Sequence, residues 1–377
     1  MASAPGRAGI LGNPTDGYGG TVISCSIPQR ATVTLEPSDV LTATVEFGAR
    51  PEDGSDDSGG AGVKPSTERS AEFRSPADLQ LAGDGLDVVR AVARFLGRES
   101  KRSETHRLKA HVHIRTDVPV QCGLAGSTAV LSSLLAGALR WLGDDPAPDQ
   151  QQYRYRLAEM VRTVELHFLE IQCGYQDQYM TVFGGLNCMD FRGKEFYRTL
   201  EQELFATIEP LGHLVGELPF VVISTGLRRV SGHVLKPVRE RWLEGDPVVR
   251  RGYRRIAELA RLGKRALLTQ DWRTFARLMN ENHTIQQQAG ASGERIDDAV
   301  DAARQAGARG VKLAGAGGGG SILLLHPDFA GQSTDALREH PIVEGVMRAY
   351  PQAQLIVPVP SPGVTCEVEP FDAAGSG

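Results

Sequence analysis

Apolar positions recur in two rhythms along the chain. Thr21–Ile27, Ala31–Glu36 and Leu41–Phe47 are short, rich in β-branched residues and separated by turn formers, which predicts strands. Lys109–Arg115 (KAHVHIR) alternates like a half-buried strand, whereas Asp87–Leu96 has a helical period. Two longer helices follow. In Ser127–Leu142, Leu131, Leu134, Leu135, Ala138 and Leu142 form one stripe; in Tyr153–Glu170, Leu157, Val161, Val164 and Phe168 do the same. Thr181–Phe191 and Pro219–Ser224 read as strands, and Val248–Leu268, Trp272–Gln288 and Glu294–Ala306 as helices. Strands return at Ser321–Leu325, Leu355–Val357 and Val364–Val368. No repeat is visible. Irregular interleaving of both types predicts an α+β fold and not a regular βαβ array.

The length, 377 residues, allows two domains or one large one, with a core that needs neither disulfides nor metals. Lys plus Arg number 41 and Asp plus Glu 46, so the net charge of −5 argues against general affinity for nucleic acid or an anionic membrane. Arg50–Thr67 is acidic and Gly/Ser-rich and reads as a mobile surface loop. The cysteines Cys25, Cys122, Cys173, Cys188 and Cys366 are odd in number and none pair at CxxC spacing. That disfavours a disulfide framework or zinc site and suits a reducing cytoplasm. The N-terminus shows no signal-peptide pattern, and no run approaches the roughly 20 apolar residues of a membrane helix.

Glycine, 43 residues or about 11 %, exceeds the usual level of about 7 % and clusters in three segments, which points to loop geometry. Pro119–Ala129 (PVQCGLAGSTA) lies between the Lys109–Arg115 strand and the Ser127–Leu142 helix. Its glycines let backbone N–H groups turn toward an oxyanion, and the helix start adds free donors and a positive dipole end. Ser127 and Thr128 stand where a hydroxyl either caps the helix or touches a phosphate-bound Mg²⁺. A phosphate cradle and an ordinary capped loop both fit. Neither a Walker A loop nor a dinucleotide fingerprint is present here. Lys312–Gly320 (KLAGAGGGG) directly precedes an apolar strand; it predicts a tight loop close to another backbone or ligand, with a flexible linker as the alternative. Pro5–Gly20 (PGRAGILGNPTDGYGG) sets Arg7, Asn13 and Asp16 on a glycine-loosened chain. It reads as a loop for a polyhydroxylated ligand, or as a series of Asx-turns.

Glu165 borders the apolar stripe of its helix, so its carboxylate needs a partner or a metal. Twelve residues on, Asp177 lies in Cys173–Gln178 (CGYQDQ), just past the expected helix end. A helix-borne Glu and a loop Asp can serve one site as Mg²⁺ ligand and base. An ion pair of Glu165 with Arg162 and a turn role for Asp177 are the plain structural alternatives.

Together these pieces resemble the GHMP kinases, named for galactokinase, homoserine, mevalonate and phosphomevalonate kinases. That family has an N-terminal motif, a PxxxGLGSS phosphate loop and a C-terminal glycine-rich motif. Pro5–Gly20, Pro119–Ala129 and Lys312–Gly320 match them in order. In galactokinases the Mg²⁺-binding Glu precedes a CGxxDQ segment, as Glu165 precedes Cys173–Gln178 here. Within the family the chain looks most like plant-type glucuronokinases: GNPTD resembles GNPSD, and GLAGSTA resembles GLSGSSA, one residue longer than the common loop. Gly184–Phe191 and Ser231–Asp246 are similar too, so the likeness covers nearly the whole chain apart from Arg50–Thr67. KLAGAGGGG also resembles heptose-phosphate kinases.

The resemblance implies a two-domain α+β fold, divided as 1–205 and 206–377, with the active site in the cleft between. It implies ATP and Mg²⁺ as cofactors and a small-molecule sugar as partner. By motif, Pro119, Gly123, Leu124, Ala125, Gly126, Ser127, Thr128 and Ala129 would hold the nucleotide. Ser127 or Thr128 with Glu165 would hold Mg²⁺. Asp177 would face the acceptor hydroxyl and Arg7 would stabilise charge on the transferred phosphoryl group. Asn13, Asp16 and Tyr18 would lie near the sugar, with Gly315, Ala316, Gly317 and Gly318. The implied reaction is phosphorylation of the anomeric C1 hydroxyl of a sugar, a uronic acid such as glucuronate. Asn13-Pro14-Thr15-Asp16 replaces the EHTD of galactokinases, which speaks against galactose. The alternatives are another sugar such as a heptose phosphate, a mevalonate-like alcohol, or a sugar-binding protein without catalysis, which has no need for Asp177. A uronate carboxylate would need a cation; Arg228, Arg229 and Lys236 are candidates, with solvated surface charge as the commoner role. The arginines of Val248–Leu268 read as the wet face of a packed helix and not as a nucleic-acid site.

Overall fold

The computed structural model describes residues 1–47, 50–51, 63–64, 67–100, 108–119, 121–143, 151–198, 204–227, 231–315, 317 and 320–367. Two sheets organise them. The first is mixed and eight-stranded. Its spatial order is Thr365–Cys366, Ala2–Leu11, Thr21–Pro37, Ala110–Thr116, Leu41–Phe47, Thr67–Phe73; Leu186–Asp190 and Thr207–Pro210 branch from Thr21–Pro37. Leu41–Phe47 and Ala110–Thr116 run parallel and the remaining neighbours antiparallel. The second sheet is antiparallel, in the order Gly310–Leu313, Ser321–Leu325, Phe220–Ser224, Gln354–Ile356. The fold is therefore α+β. Strands from both sides of residue 205 enter the first sheet.

Helices Gly126–Trp141 and Gln176–Phe183 pack on Ala2–Leu11 and Thr21–Pro37, and Gln151–His167 lies beside them. The stripe residues Leu131, Leu134, Leu135, Leu157, Val161 and Val164 are all buried there. In the second half Trp272–Gln288 and Glu294–Gln305 cover Gly310–Leu313. Ser231–Glu244 and Pro247–Leu268 stand between the halves, and Trp242 and Tyr253 pack together in a small core of their own. Among the described residues no helix is long and apolar enough to cross a membrane.

Gly6 and Gly9 lie in a strand and do not loosen a loop, whereas Gly12 to Gly20 form the turn segment that carries Asn13 and Asp16. Ala2–Leu11 is a strand, buried almost throughout, with register shifts between Pro5 and Arg7 and between Gly9 and Leu11. Glycine is needed at Gly6 and Gly9 because a Cβ would lie 2.8 Å from the Leu124 carbonyl oxygen and 2.7 Å from that of Ala314. The two glycine-rich segments thus pack against this strand. Thr21–Pro37 is one long strand, not two, because Pro28 to Arg30 stay extended. Of the strand expected over Thr181–Phe191, Leu186–Asp190 is a strand, whereas Thr181–Phe183 ends the helix Gln176–Phe183. Ser231–Glu244 and the two short helices Thr334–Glu339 and Pro341–Ala349 had no periodic signal strong enough to read. Of the acidic segment 50–67, Arg50–Pro51 and Val63–Lys64 form a small antiparallel ribbon, Thr67 opens a strand, and the rest lies outside the described residues.

Candidate active site

The glycine loop turns sharply before its helix. Gln121, Gly123 and Ala125 all have positive φ, 58°, 74° and 61°. The helix then begins at Gly126, and its N-cap, Ala125, has no side chain that can cap. The N–H groups of Gly126, Ser127 and Thr128 precede the first intrahelical bond, which Ala129 donates to Ala125, and so lack a partner within the helix. The capping role for Ser127 or Thr128 is therefore not what the loop shows. Ser127 is exposed, Thr128 is buried, and Leu124 and Ala129 anchor the loop in the core. Uncapped amides at a helix start favour an anion.

Arg7 leaves its strand at the bulge and reaches under this loop. Its main-chain N–H donates to the Leu124 carbonyl at 3.0 Å, and Nη1 donates to the Gly123 carbonyl at 2.5 Å. Nε and Nη2 both donate to Oδ1 of Asp177, at 2.8 and 2.5 Å. The guanidinium is almost wholly buried, whereas the Asp177 side chain is 31 % exposed. Oδ2 of Asp177 takes neither bond. Asp177 thus stands fixed at one oxygen, in the first turn of Gln176–Phe183 and not in a turn past a helix end.

Glu165 is buried beside it. Thr128 Oγ1 donates to its carboxylate at 3.3 and 3.4 Å, and Gln178 Nε2 at 2.7 Å. Burial above all, and then the charge of Asp177, push its carboxyl up to about 7 against these two hydrogen bonds. Arg162, the alternative partner, donates Nε to the Gly174 carbonyl and stacks its guanidinium on Tyr175 at 3.8 Å, and its charge counts among the forces that lower the Glu165 carboxyl. A buried carboxylate next to a threonine hydroxyl, both hard oxygen donors, suits Mg²⁺. Thr128, and not Ser127, is the hydroxyl that meets Glu165. Gln178 is a member of the site that its motif contained but spacing did not reveal.

Asp16 organises the helix that carries Asp177. Its Oδ2 accepts the N–H groups of Tyr175 and Gln176 at 2.7 and 2.9 Å, which no local side chain caps. Gly174 makes room, since a Cβ there would lie 1.9 Å from that oxygen. Burial raises the Asp16 carboxyl and the two amides oppose it. Asn13 departs from expectation. It is buried, donates to the Gly315 carbonyl, and accepts from the ammonium of buried Lys312 at 2.7 Å. Its amide is thereby committed to joining Ala2–Leu11 to the C-terminal glycine segment, and it does not line the cavity described next.

A cavity of about 460 Å³ opens beside these groups, lined by Arg7, Asp16, Tyr18, Glu165, Asp177 and Gln178 from the first half, with Lys236, Arg239 and Tyr253 from the helices of the second. That volume suits a small ligand. Tyr18 sits among Phe196, Trp242 and Tyr253, with ring centroids 4.7–5.0 Å away. The C-terminal glycine segment lies elsewhere, against the phosphate-type loop. A Cβ on Gly315 would meet the Gly123 carbonyl oxygen at 2.8 Å, and Ser321 Oγ donates to the Cys122 carbonyl at 2.9 Å. Gly315 therefore abuts the loop and not the cavity wall. Gly317 has φ 134°. Ala316 and Gly318 lie outside the described residues, as do Arg228 and Arg229. On the basic helix, Arg255 pairs with Glu258 and Glu281, and Lys264 with Glu209.

Comparison with known proteins places the chain among small-molecule kinases. The chain matches the GHMP kinases N terminal domain over residues 87–185 and the GHMP kinases C terminal domain over 264–340. It belongs to the GHMP kinase family. Glucuronokinase 1 of Arabidopsis thaliana is 28 % identical over 348 residues, 86 % of this chain and 84 % of the relative. Mevalonate kinase of Pyrococcus horikoshii is 27 % identical, over 87 % of this chain and 88 % of the relative. Among solved structures, a D-glycero-D-manno-heptose 1-phosphate kinase from Bacteroides thetaiotaomicron superposes with TM-score 0.63 at 21 % identity, covering 98 % of this chain and 99 % of that one. Lactococcus lactis galactokinase gives TM-score 0.68 at 16 % identity, covering 97 % and 94 %. These likenesses show the same two-domain fold.

Proposed function

We propose that the protein is an ATP- and Mg²⁺-dependent kinase that phosphorylates the anomeric hydroxyl of a sugar, a uronic acid such as glucuronate. The observation that carries this reading is the meeting of Arg7, Asp177 and Glu165 at one cavity, with Thr128 of the uncapped helix start hydrogen-bonded to Glu165. The glucuronokinase relatives support the choice of acceptor. We further propose that 1–205 supplies the nucleotide loop and metal-binding side chains, and that 206–377 closes the acceptor side.

Phosphoryl transfer asks mainly for positioning and charge neutralisation. Thr128 and Glu165 would hold Mg²⁺, which neutralises phosphate oxygens when bound. The amides of Gly126–Thr128 would take the phosphates. Oδ2 of Asp177 accepts the proton of the acceptor hydroxyl as its oxygen attacks the terminal phosphorus and ADP leaves. Arg7 holds Asp177 in that pose through Oδ1, so one guanidinium ties the acceptor side to the phosphate loop through Gly123. An anomeric hydroxyl is more acidic than an ordinary alcohol, which lightens the demand on Asp177. Asp16 acts through the helix it caps, and Tyr18 offers an aromatic face.

A phosphate-transfer screen over glucuronate, galacturonate, glucose, heptose phosphates and mevalonate, with the product solved by NMR, tests this. Phosphate at C1 of a uronate is the expected result. Transfer only to a neutral sugar would defeat the uronate choice. Transfer only to mevalonate would establish the reading that the archaeal relatives favour.

A further inference from the structure

The cavity's charges are not evenly committed. Its lining carries three carboxylates, Asp16, Glu165 and Asp177, and three cations, Arg7, Lys236 and Arg239. Arg7 is spent on Asp177. Lys236 is exposed and lies 3.8 Å from Glu240 on the same helix. Arg239 is different. Its guanidinium lies over the Phe196 ring, 3.8 Å from the centroid, and Nη1 donates to the side-chain oxygen of Gln172. Among the described residues it forms no ion pair with a carboxylate. A planar cation held against a ring by its face keeps its edge donors for a planar anion.

A second group on the same wall also lacks a partner. Tyr253 is 1 % exposed and lines the cavity, yet among the described residues its hydroxyl has no hydrogen-bond partner. Contact is continuous from Arg239 to Phe196 to Tyr18 to Tyr253. A buried phenol left unpaired is costly unless a ligand supplies the bond. Like charge keeps an anionic acceptor group away from Asp177. The remaining wall is the one Arg239 commands.

Resting on the uronate-kinase reading of this cavity, we infer that Arg239 is the residue that recognises the acceptor's anionic group, binding the carboxylate of a uronic acid through its guanidinium edge. Phe196 and Gln172 position it, and the Tyr253 hydroxyl completes the polar wall. Arg239 is in this account a specificity determinant. It takes no part in moving the proton.

The test compares wild type, Arg239→Gln and Arg239→Lys with glucuronate, glucose and glucose 6-phosphate, by calorimetric binding and by initial rates. Wild type should favour glucuronate over glucose at least tenfold. Arg239→Gln should cut that ratio about 10- to 100-fold, the usual worth of a charge-assisted contact, through Kd and KM more than kcat. Arg239→Lys should fall between, and equal melting temperatures would exclude misfolding. An unchanged ratio in Arg239→Gln, or equal losses on both sugars, would overturn the inference. So would a wild-type preference for glucose 6-phosphate, which would assign the cation to phosphate. Glucuronate binding that depends on Arg239, without turnover of any sugar, would sustain the inference and sink the kinase reading. Turnover of neutral sugars alone would do the reverse.

Discussion

Glu165 lies close enough to Asp177 to feel its charge, yet their surroundings give the two carboxylates different work. Asp177 is partly exposed and gripped at one oxygen by Arg7. Replacing it by Asn keeps the shape and removes the proton acceptor. Asp177→Asn should lower kcat by about 100-fold or more, the usual scale for loss of a general base, with KM for ATP little changed. Wild-type turnover in that variant would remove Asp177 from the chemistry. Glu165 is buried, with its carboxyl pushed up to about 7 from an ordinary 4.5. Between those values the folded chain keeps a proton that the unfolded chain has lost, so this group makes stability fall as pH rises through the window. A cation on the carboxylate offsets the effect above the window. Mg²⁺ should therefore raise Tm more at pH 8 than at pH 5, and Glu165→Gln should abolish the difference. The same variant should need about tenfold more Mg²⁺ for half-maximal rate. Equal Mg²⁺ responses at both pH values would count against Glu165 as a ligand.

At the scale of elements, glycine decides how close the loops come. Gly320 has φ 103°, and a Cβ there would lie 2.6 Å from the Cys122 carbonyl carbon and oxygen. Gly83 has φ 71° with nothing within 4 Å. Ala at Gly83 tests the left-handed backbone alone and should cost about 1 kcal/mol. Gly320→Ala adds a collision with the Cys122 backbone in the proposed nucleotide loop and should cost about 2–4 kcal/mol, with KM for ATP raised. Urea midpoints and steady-state rates would show it; equal costs at the two sites would refute the close approach. The contrast also marks what can be read from sequence. Long stripes such as Leu131 to Leu142 declare their helices because their period is local. The strand Ala2–Leu11 does not, because Gly6 and Gly9 answer to Leu124 and Ala314, far along the chain. Gln176–Phe183 is missed for the same reason: its cap, Asp16, comes from the N-terminal segment. Glu165 and Asp177 were visible by spacing within a familiar motif order. Arg239 was not, since nothing near it in sequence separates a cavity-lining arginine from a solvated one.

For the molecule as a whole, the two halves are joined by more than a linker. Thr365–Cys366 pairs with Ala2 and Ser3, and the N-terminal ammonium donates to the Glu367 carbonyl at 2.7 Å. Thr207–Pro210 extends Leu186–Asp190. Asn282 Oδ1 accepts the Gly12 N–H at 2.9 Å, and the buried ammonium of Lys312 bonds the Gly9 carbonyl at 3.1 Å and Asn13. A fragment ending at residue 205 would lose two of the sheet's end strands, Thr207–Pro210 and Thr365–Cys366, and strip buried N–H and C=O groups of partners, each an uncompensated polar cost. It would also uncover Leu11 and Ala8, which sit in the shared core. Residues 1–205 expressed alone should therefore show no cooperative thermal transition, while the full chain should unfold as one unit by circular dichroism and by calorimetry. A folded fragment that still binds ATP would instead establish 1–205 as an autonomous domain. In either case the cavity needs the whole chain, because Arg239, Lys236 and Tyr253 come from beyond that boundary, while Arg7, Glu165 and Asp177 come from before it.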